Sequence, residues 1–338
     1  MKARVLGKGE QIYGERKILV DQLPLETPFV VQISPASLCN FRCNYCIFSN
    51  DVAREKYIVK GEMLSFETHK RVIENLSTFP SKIKKLIYVG WGEPLLNKDL
   101  PEMVRFAYES DIANDLDIIS NGSLLTPEVS DRLSVSGLSA LRISMQGINA
   151  SDYMKTAGIK LDFDSFIDNL RYFSEQKHGS TKLYLKIVDS ALSISEEEFY
   201  QRYGDIADII SIETTLPLIP DIDYSKIVGS TVFDKTLRGD SFIYHDICPQ
   251  PFYHLQILPN GEVAPCCNYQ SPIICGNMAE SSAVEIWNSK LLRHLRVNML
   301  KLKKNKICSE CQQYQHSMFK EDVLDYRRIG LLRLFEDM

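Results

Sequence analysis

The chain has 338 residues, enough for one large domain and a small one, with 44% hydrophobic and 25% charged residues as in ordinary globular proteins. A formal net charge of −5 lacks the basic excess of a nucleic-acid-binding domain, so nucleic acid is not an expected partner. Met1 to Glu10 contain no apolar secretion core, and no apolar run approaches the roughly 18 residues of a membrane span. The expected location is therefore the reducing cytoplasm, away from membranes. There, nine cysteines, an odd number, argue for metal or cluster ligation over disulfides.

Residues 1–28 form an N-terminal extension. From 29 to 217, β-branched apolar runs at 29–33, 86–89, 116–119, 141–145, 183–188 and 209–212 predict six strands. Amphipathic segments of helical period lie between them at 66–76, 100–108, 127–133, 163–173 and 196–203. Thr126 before Pro127 and the capping box Ser195-x-x-Glu198 mark two helix starts. Such alternation implies βαβ crossovers and a parallel sheet. Periodicity alone does not choose between a flat doubly wound sheet and a barrel.

Residues 218–244, broken by Pro220 and Gly229, read as a linker with one short helix. A separate unit is expected over 245–315. It starts with a hairpin, 252–258 and 262–266, turning at Asn260-Gly261. One helix then runs from the capping box Ser282-x-x-Glu285 through Trp287 and Leu295 to near Leu302. The Lys-rich run at 301–306 complements that helix's C-terminal dipole. A charged amphipathic helix closes the chain over 316–338.

Directly after the first strand come Cys39, Cys43 and Cys46, a Cys-x3-Cys-x2-Cys loop. Three thiolates so spaced wrap one cubane iron–sulfur cluster and leave its fourth iron open, as catalysis needs. A structural zinc site would want a fourth Cys or His nearby, and the nearest His is His69.

This loop, with Tyr45 before its third cysteine, resembles the signature of the radical S-adenosylmethionine (SAM) superfamily. Three further segments are similar to that family in order, each at a predicted strand end. Gly90-Trp91-Gly92-Glu93-Pro94 resembles its Gly-Gly-Glu-Pro segment, with Trp91 in place of the first Gly. Ser120-Asn121-Gly122 follows the third strand, and Ser144-Met145-Gln146-Gly147 ends the fourth, with Gln146 where Asp is commoner. The resemblance implies that Gly92, Glu93 and Pro94 receive the SAM amino group and that Ser120, Asn121, Ser144 and Gln146 contact its ribose or carboxylate. Lys155 stands near where relatives place a carboxylate-binding Arg. It also implies a partial (β/α)6 TIM-like barrel, an α/β fold, with the site at the strand C-termini. SAM and a [4Fe–4S] cluster would yield a 5′-deoxyadenosyl radical that abstracts hydrogen from substrate.

Cys248, Cys266, Cys308 and Cys311 bracket the predicted hairpin and helix and suffice for a fully ligated second cubane; a four-cysteine zinc site would look the same. The segment from Cys248 to Cys311, with Gly261, Cys266-Cys267, Gly276-Asn277 and Ile286-Trp287, closely resembles the SPASM/Twitch auxiliary iron–sulfur domain, here a small α+β unit. That resemblance implies one auxiliary [4Fe–4S] cluster. Cys267 and Cys275 are left over, as buried small hydrophobes or as hydrogen-atom donors to a substrate radical, Cys267 also as an exchangeable ligand.

Three reactions fit. The preferred one oxidises a small polyol, sugar or aminocyclitol, passing an electron to the auxiliary cluster. The second modifies a peptide or protein; the 28 residues before the first strand are too few for a leader-binding domain, which favours a small molecule. The third is redox-neutral epimerisation with a Cys donor. A binding module without catalysis would leave Glu93, Ser120 and Ser144 without purpose. Lys186 and Glu213 have the polarity of the barrel interior, equally as bases or as structural charges, which leaves the general base open, and the family implies a flavodoxin- or ferredoxin-type electron donor.

Overall fold

The computed structural model describes residues 2–7, 10, 16–57, 61–316 and 319–337. Ten strands form one sheet: β1 (Arg4–Val5), β2 (Val30–Ile33), β3 (Ile83–Tyr88), β4 (Ala113–Ser120), β5 (Ala140–Met145), β6 (Lys182–Val188), β7 (Ile209–Glu213), β8 (His254–Ile257), β9 (Glu262–Ala264) and β10 (Gly276–Asn277). Their order is β1-β7-β6-β5-β4-β3-β2-β8-β9-β10, so the sheet stays open. The strands β2 to β7 are the six expected, parallel and in sequence order.

Alternation along these strands separates two environments. Val31, Ile33, Leu86, Tyr88, Leu116, Ile118, Leu141, Ile143, Leu183, Leu185 and Ile210 join one apolar core with the covering helices. Each fully buried Leu or Ile there contributes about 1.5–3 kcal/mol. The intervening positions are polar: Gln32, Lys85, Asp117, Arg142, Ser144, Tyr184, Lys186, Ser211, Glu213 and Gln256. They form the face that an open barrel turns inward, and its charges are neutralised in place. Lys85 and Arg142 both pair with fully buried Asp117.

The helices Phe66–Leu76, Leu100–Glu109, Pro127–Ser134, Phe163–Gln176 and Glu196–Tyr203 lie where periodicity puts them. Thr126 caps its helix by accepting the Val129 N–H. At Ser195 half of the expected box forms: its hydroxyl accepts the Glu198 N–H, while the Glu198 carboxylate turns to Arg202 at 2.6 Å. The box at Ser282 and Glu285 is complete. The single helix expected over 282–302 is two, Ala283–Trp287 and Lys290–Leu300, because Ser289 caps the second by accepting the Leu292 N–H. Helix Ala150–Ala157 was not anticipated, although Asn149 caps its start and Gly158, at φ +68°, ends it.

The expected hairpin is present, turning at Gly261 with φ +85°. It is not a detached unit: β8 pairs parallel with β2, extending the barrel sheet into the C-terminal region. Behind it, Leu331 and Phe335 of the C-terminal helix Arg328–Asp337 pack on Phe252, Met299 and Leu300. Arg296, buried under that helix, stacks on Trp287 at 3.9 Å and donates to the Pro251 and Trp287 carbonyls.

His69 and His254 are buried as neutral rings. His69 bonds the Tyr88 hydroxyl at 2.9 Å, and both ring nitrogens of His254 lack a partner among the described residues. Burial pushes each pKa down to about 3. Below the unfolded value of about 6.5 the unfolded chain binds protons that the fold refuses, so stability falls as pH drops through that range. Each ring accounts for about 2 kcal/mol lost by about pH 5. Urea unfolding should therefore show His254→Leu losing about 2 kcal/mol less than wild type between about pH 7 and pH 5; equal losses would contradict a buried neutral His254.

Candidate active site

The loop carrying Cys39, Cys43 and Cys46 leaves the end of β2 and is clamped from three sides. The N–H groups of Arg42 and Asn44 donate to the Ala157 and Thr156 carbonyls, orphaned at the end of helix Ala150–Ala157, at 2.9 and 2.8 Å. Phe41 buries edge-on against Tyr153, and the Tyr224 hydroxyl donates to the Tyr45 carbonyl at 2.7 Å. Tyr224 belongs to the segment expected to be a linker. With Ile219, Ile222 and Phe233 it packs on Ile47, Phe48 and Cys46 and covers the loop.

Burial pushes the Cys39 thiol up to about 12. Cys43 and Cys46 rise as well, again through burial, and at Cys43 the sister thiols Cys46 and Cys39 add repulsion. Three thiols kept protonated by burial in a dry loop are poor free thiolates and good ligands, because bound iron supplies the missing positive charge. Among the described residues no three His, Cys, Asp or Glu side chains converge as they would on a single metal ion. The fit of this loop to a cluster therefore rests on its donor chemistry.

The loop after β3 presses on the stem of the cysteine loop. A Cβ on Gly92 would lie 2.2 Å from the Ala36 carbonyl, and the Glu93 N–H donates to Leu38 at 2.7 Å. The Glu93 carboxylate is buried and accepts from Leu95 N, Ser120 Oγ and Asn121 N at 2.9, 2.6 and 2.7 Å. Burial raises its pKa against these bonds. Three of its roughly four acceptor positions are thus filled from within the protein, so Glu93 mainly locks β3 to β4. Asn121 extends the lock, donating to Asn40 of the cysteine loop at 2.9 Å.

Gln146 is similarly engaged. Its carbonyl accepts from Tyr45 at 2.5 Å and its amide donates to the Ser144 carbonyl at 3.0 Å. The structure thus brings Tyr45, Gly92, Glu93, Pro94, Ser120, Asn121, Ser144 and Gln146 to one rim. Lys155 does not join them: helix Ala150–Ala157 turns Tyr153, Thr156 and Ala157 inward, which leaves Lys155 exposed. Lys186 and Glu213 meet at 2.8 Å, and Glu213 also faces Arg238 at 3.3 Å. Burial opposes ionisation of Glu213, but these two cations outweigh it and hold its pKa low. Arg238, from the same former linker, reaches in to donate to Tyr184 at 2.9 Å. No periodic signal marked it.

Cys248, Cys266, Cys308 and Cys311 line one small cavity with Pro251, Met299 and Ile307. Burial raises all four thiols, and neighbouring cysteines raise Cys248, Cys266 and Cys308 further. Cys267 lies beside them, its sulfur accepting from Gln313 at 3.0 Å and meeting Gln250 at 3.5 Å. Cys275 is buried in the apolar core with Met278, Ile286 and Trp287, so the small-hydrophobe alternative fits it. Trp91, read in sequence as a replaced glycine, ties the two regions: its Nε1 donates to the Cys267 carbonyl at 3.3 Å and its ring meets Tyr269 edge-on.

The family model of the radical SAM superfamily matches residues 33–187, and that of the SPASM iron–sulfur cluster-binding domain matches 248–312. The chain carries a radical SAM domain followed by a C-terminal SPASM iron–sulfur domain. Its cofactors are SAM and two [4Fe–4S] clusters, one SAM-binding and one auxiliary. An Fe-coproporphyrin III synthase of Methanosarcina barkeri is 33% identical over 48% of this chain and 40% of its own length. A GTP 3′,8-cyclase of Mycobacterium tuberculosis is 23% identical over 72% of this chain and 64% of its own. The radical SAM chain thus spans less than two thirds of these relatives.

In fold it is similar to BtrN in complex with AdoMet and 2-DOIA (TM-score 0.53, 17% identity, 84% of this chain and 92% of BtrN). Streptococcus suis SuiB bound to its precursor peptide SuiA gives 0.59 at 16% identity over 88% and 72%. Native anSMEcpe with bound AdoMet gives 0.57 at 13% over 92% and 97%. Among the described residues no helix is long and apolar enough to cross a membrane.

Proposed function

We propose that this radical SAM enzyme oxidises a small polyol, sugar or aminocyclitol to the corresponding ketone, in the cytoplasm, with a flavodoxin- or ferredoxin-type protein as electron donor. Cys39, Cys43 and Cys46 hold the SAM-binding cluster; Cys248, Cys266, Cys308 and Cys311 hold the auxiliary one. Bound SAM and its cluster supply a 5′-deoxyadenosyl radical that takes a hydrogen atom from the substrate carbinol carbon. The substrate then loses one electron to the auxiliary cluster and its hydroxyl proton to a basic group of the site.

Trp91 carries this reading. It spans from the loop on the SAM side to the backbone of Cys267, next to a proposed auxiliary ligand, at 3.3 Å. A substrate beside Trp91 would have the hydrogen acceptor on one side and the electron acceptor on the other. The remaining parts hold that arrangement still: Glu93 fixes the rim, and Tyr224 and its neighbours exclude water from the cysteine loop.

Anaerobic holoenzyme given SAM, dithionite and a panel of polyols and aminocyclitols should form 5′-deoxyadenosine together with a product lacking two hydrogens. A product isomeric with its substrate, or turnover with cysteine-containing peptides alone, would replace dehydrogenation by epimerisation or peptide modification.

A further inference from the structure

A cavity of about 280 Å³ opens between the Trp91 loop and the β8–β9 hairpin. Trp91 and Tyr269 form an aromatic corner there, their rings 6.1 Å apart and at 86°. Gln256 and Asn268 line it, the Asn268 amide donating to the Gln270 carbonyl and accepting the Tyr269 N–H, and Glu62 and Glu262 line it as well. Among the described lining residues there is no Lys, Arg or His.

This lining selects by charge. A phosphate or carboxylate entering would meet two carboxylates and no side-chain cation, which disfavours anionic ligands. A polyhydroxylated ring has the complementary chemistry: an apolar C–H face for the aromatic corner and hydroxyls for Gln256 and the Glu62 and Glu262 carboxylates. An ammonium substituent would gain from the carboxylates and from the aromatic faces. The volume lies at the small end for ligand pockets and suits one ring.

The cavity is also held in shape. Gln256 Nε2 lies 3.4 Å from Ser34 Oγ, and a Cβ on Gly90 would fall 2.2 Å from that same oxygen. The floor and the Trp91 loop are thus in contact through Ser34. Trp91 is pinned at its far edge by the Cys267 carbonyl.

We propose that this cavity is a substrate subsite for a single uncharged or ammonium-bearing polyhydroxylated ring. It rests on the dehydrogenase reading and narrows its substrate class. Isothermal titration calorimetry of the anaerobically reconstituted holoenzyme tests it, with 2-deoxystreptamine, myo-inositol and glucose 6-phosphate as probes. At least one of the first two should bind saturably, and glucose 6-phosphate should give no binding heat. Tyr269→Ala should weaken binding about tenfold by removing one aromatic wall. Ile274, which also lines the cavity, is 39% exposed, so Ile274→Arg tests the mouth without disturbing the core. That variant should lose the unphosphorylated rings and admit glucose 6-phosphate.

Failure of both unphosphorylated rings to bind, binding indifferent to both substitutions, or wild-type preference for the phosphorylated sugar would overturn the subsite. Should Tyr269→Ala not fold, Ile274→Arg decides alone. Binding is read without turnover, so the two ideas separate. A ring that binds here but is never oxidised removes the dehydrogenase and spares the subsite. A ring that is oxidised with binding untouched by either substitution does the reverse.

Discussion

Cys43→Ala should abolish SAM cleavage, lowering 5′-deoxyadenosine formation with dithionite by at least about a thousandfold. The reason is ligand arithmetic: a cubane held by three thiolates has no spare protein donor, so losing one leaves two irons open. Nothing nearby substitutes. Tyr45 is committed to Gln146, Glu93 to Leu95, Ser120 and Asn121, and Asn40 to Asn121. Iron should fall from about eight to about four per chain, because the auxiliary set is untouched. Cys275→Ala is the matched control: the thiol is core packing, and both iron content and SAM cleavage should persist. Undiminished cleavage by Cys43→Ala would end the assignment of this loop.

Cys311→Ala should produce the opposite separation. SAM cleavage continues while ketone formation is lost, because the substrate radical has nowhere to deliver its electron. Iron again falls to about four per chain. Stability should drop too. A cluster that ties the chain at Cys248, Cys266, Cys308 and Cys311 joins helix Lys306–Glu310 to the hairpin and to the start of helix Gln250–Tyr253, and its binding energy is folding energy. Thermal unfolding followed anaerobically should show a midpoint lower by several degrees. Ketone formation at the wild-type rate would remove the auxiliary cluster from the reaction. Zinc in place of the lost iron would leave it a structural site.

The barrel was legible because its signals are local. Apolar β-branched runs and amphipathic intervals located six strands and five helices, with β3 and β4 starting three residues earlier than expected and helix Phe163–Gln176 running three further, and Thr126 and Ser282 marked two starts through cap chemistry. The cysteine loop and the Gly-Glu-Pro, Ser-Asn-Gly and Ser-Met-Gln segments were legible through spacing and order. Contacts between distant segments were not. The pairing of β8 with β2 joins residues more than two hundred positions apart and leaves no periodic trace. Tyr224 and Arg238 reach the cysteine loop and Glu213 from a segment whose composition says only linker. Lys155 shows a different limit. Distance along the chain placed it near the carboxylate site, but helical geometry turned it outward. Glu93 shows a third: its residue type fits an ammonium, yet its neighbours take most of its capacity. Trp91 was visible as a departure from the family pattern, and its role appeared only once Cys267 and Tyr269 stood beside it.

Electron paramagnetic resonance of the anaerobically reduced protein, with and without SAM, tests the central claim most directly. Two [4Fe–4S] signals should appear, and SAM should shift the one that Cys43→Ala removes while leaving the one that Cys311→Ala removes unchanged. A spectrum without a SAM-responsive cluster, or one whose SAM-responsive signal survives Cys43→Ala, would contradict the account.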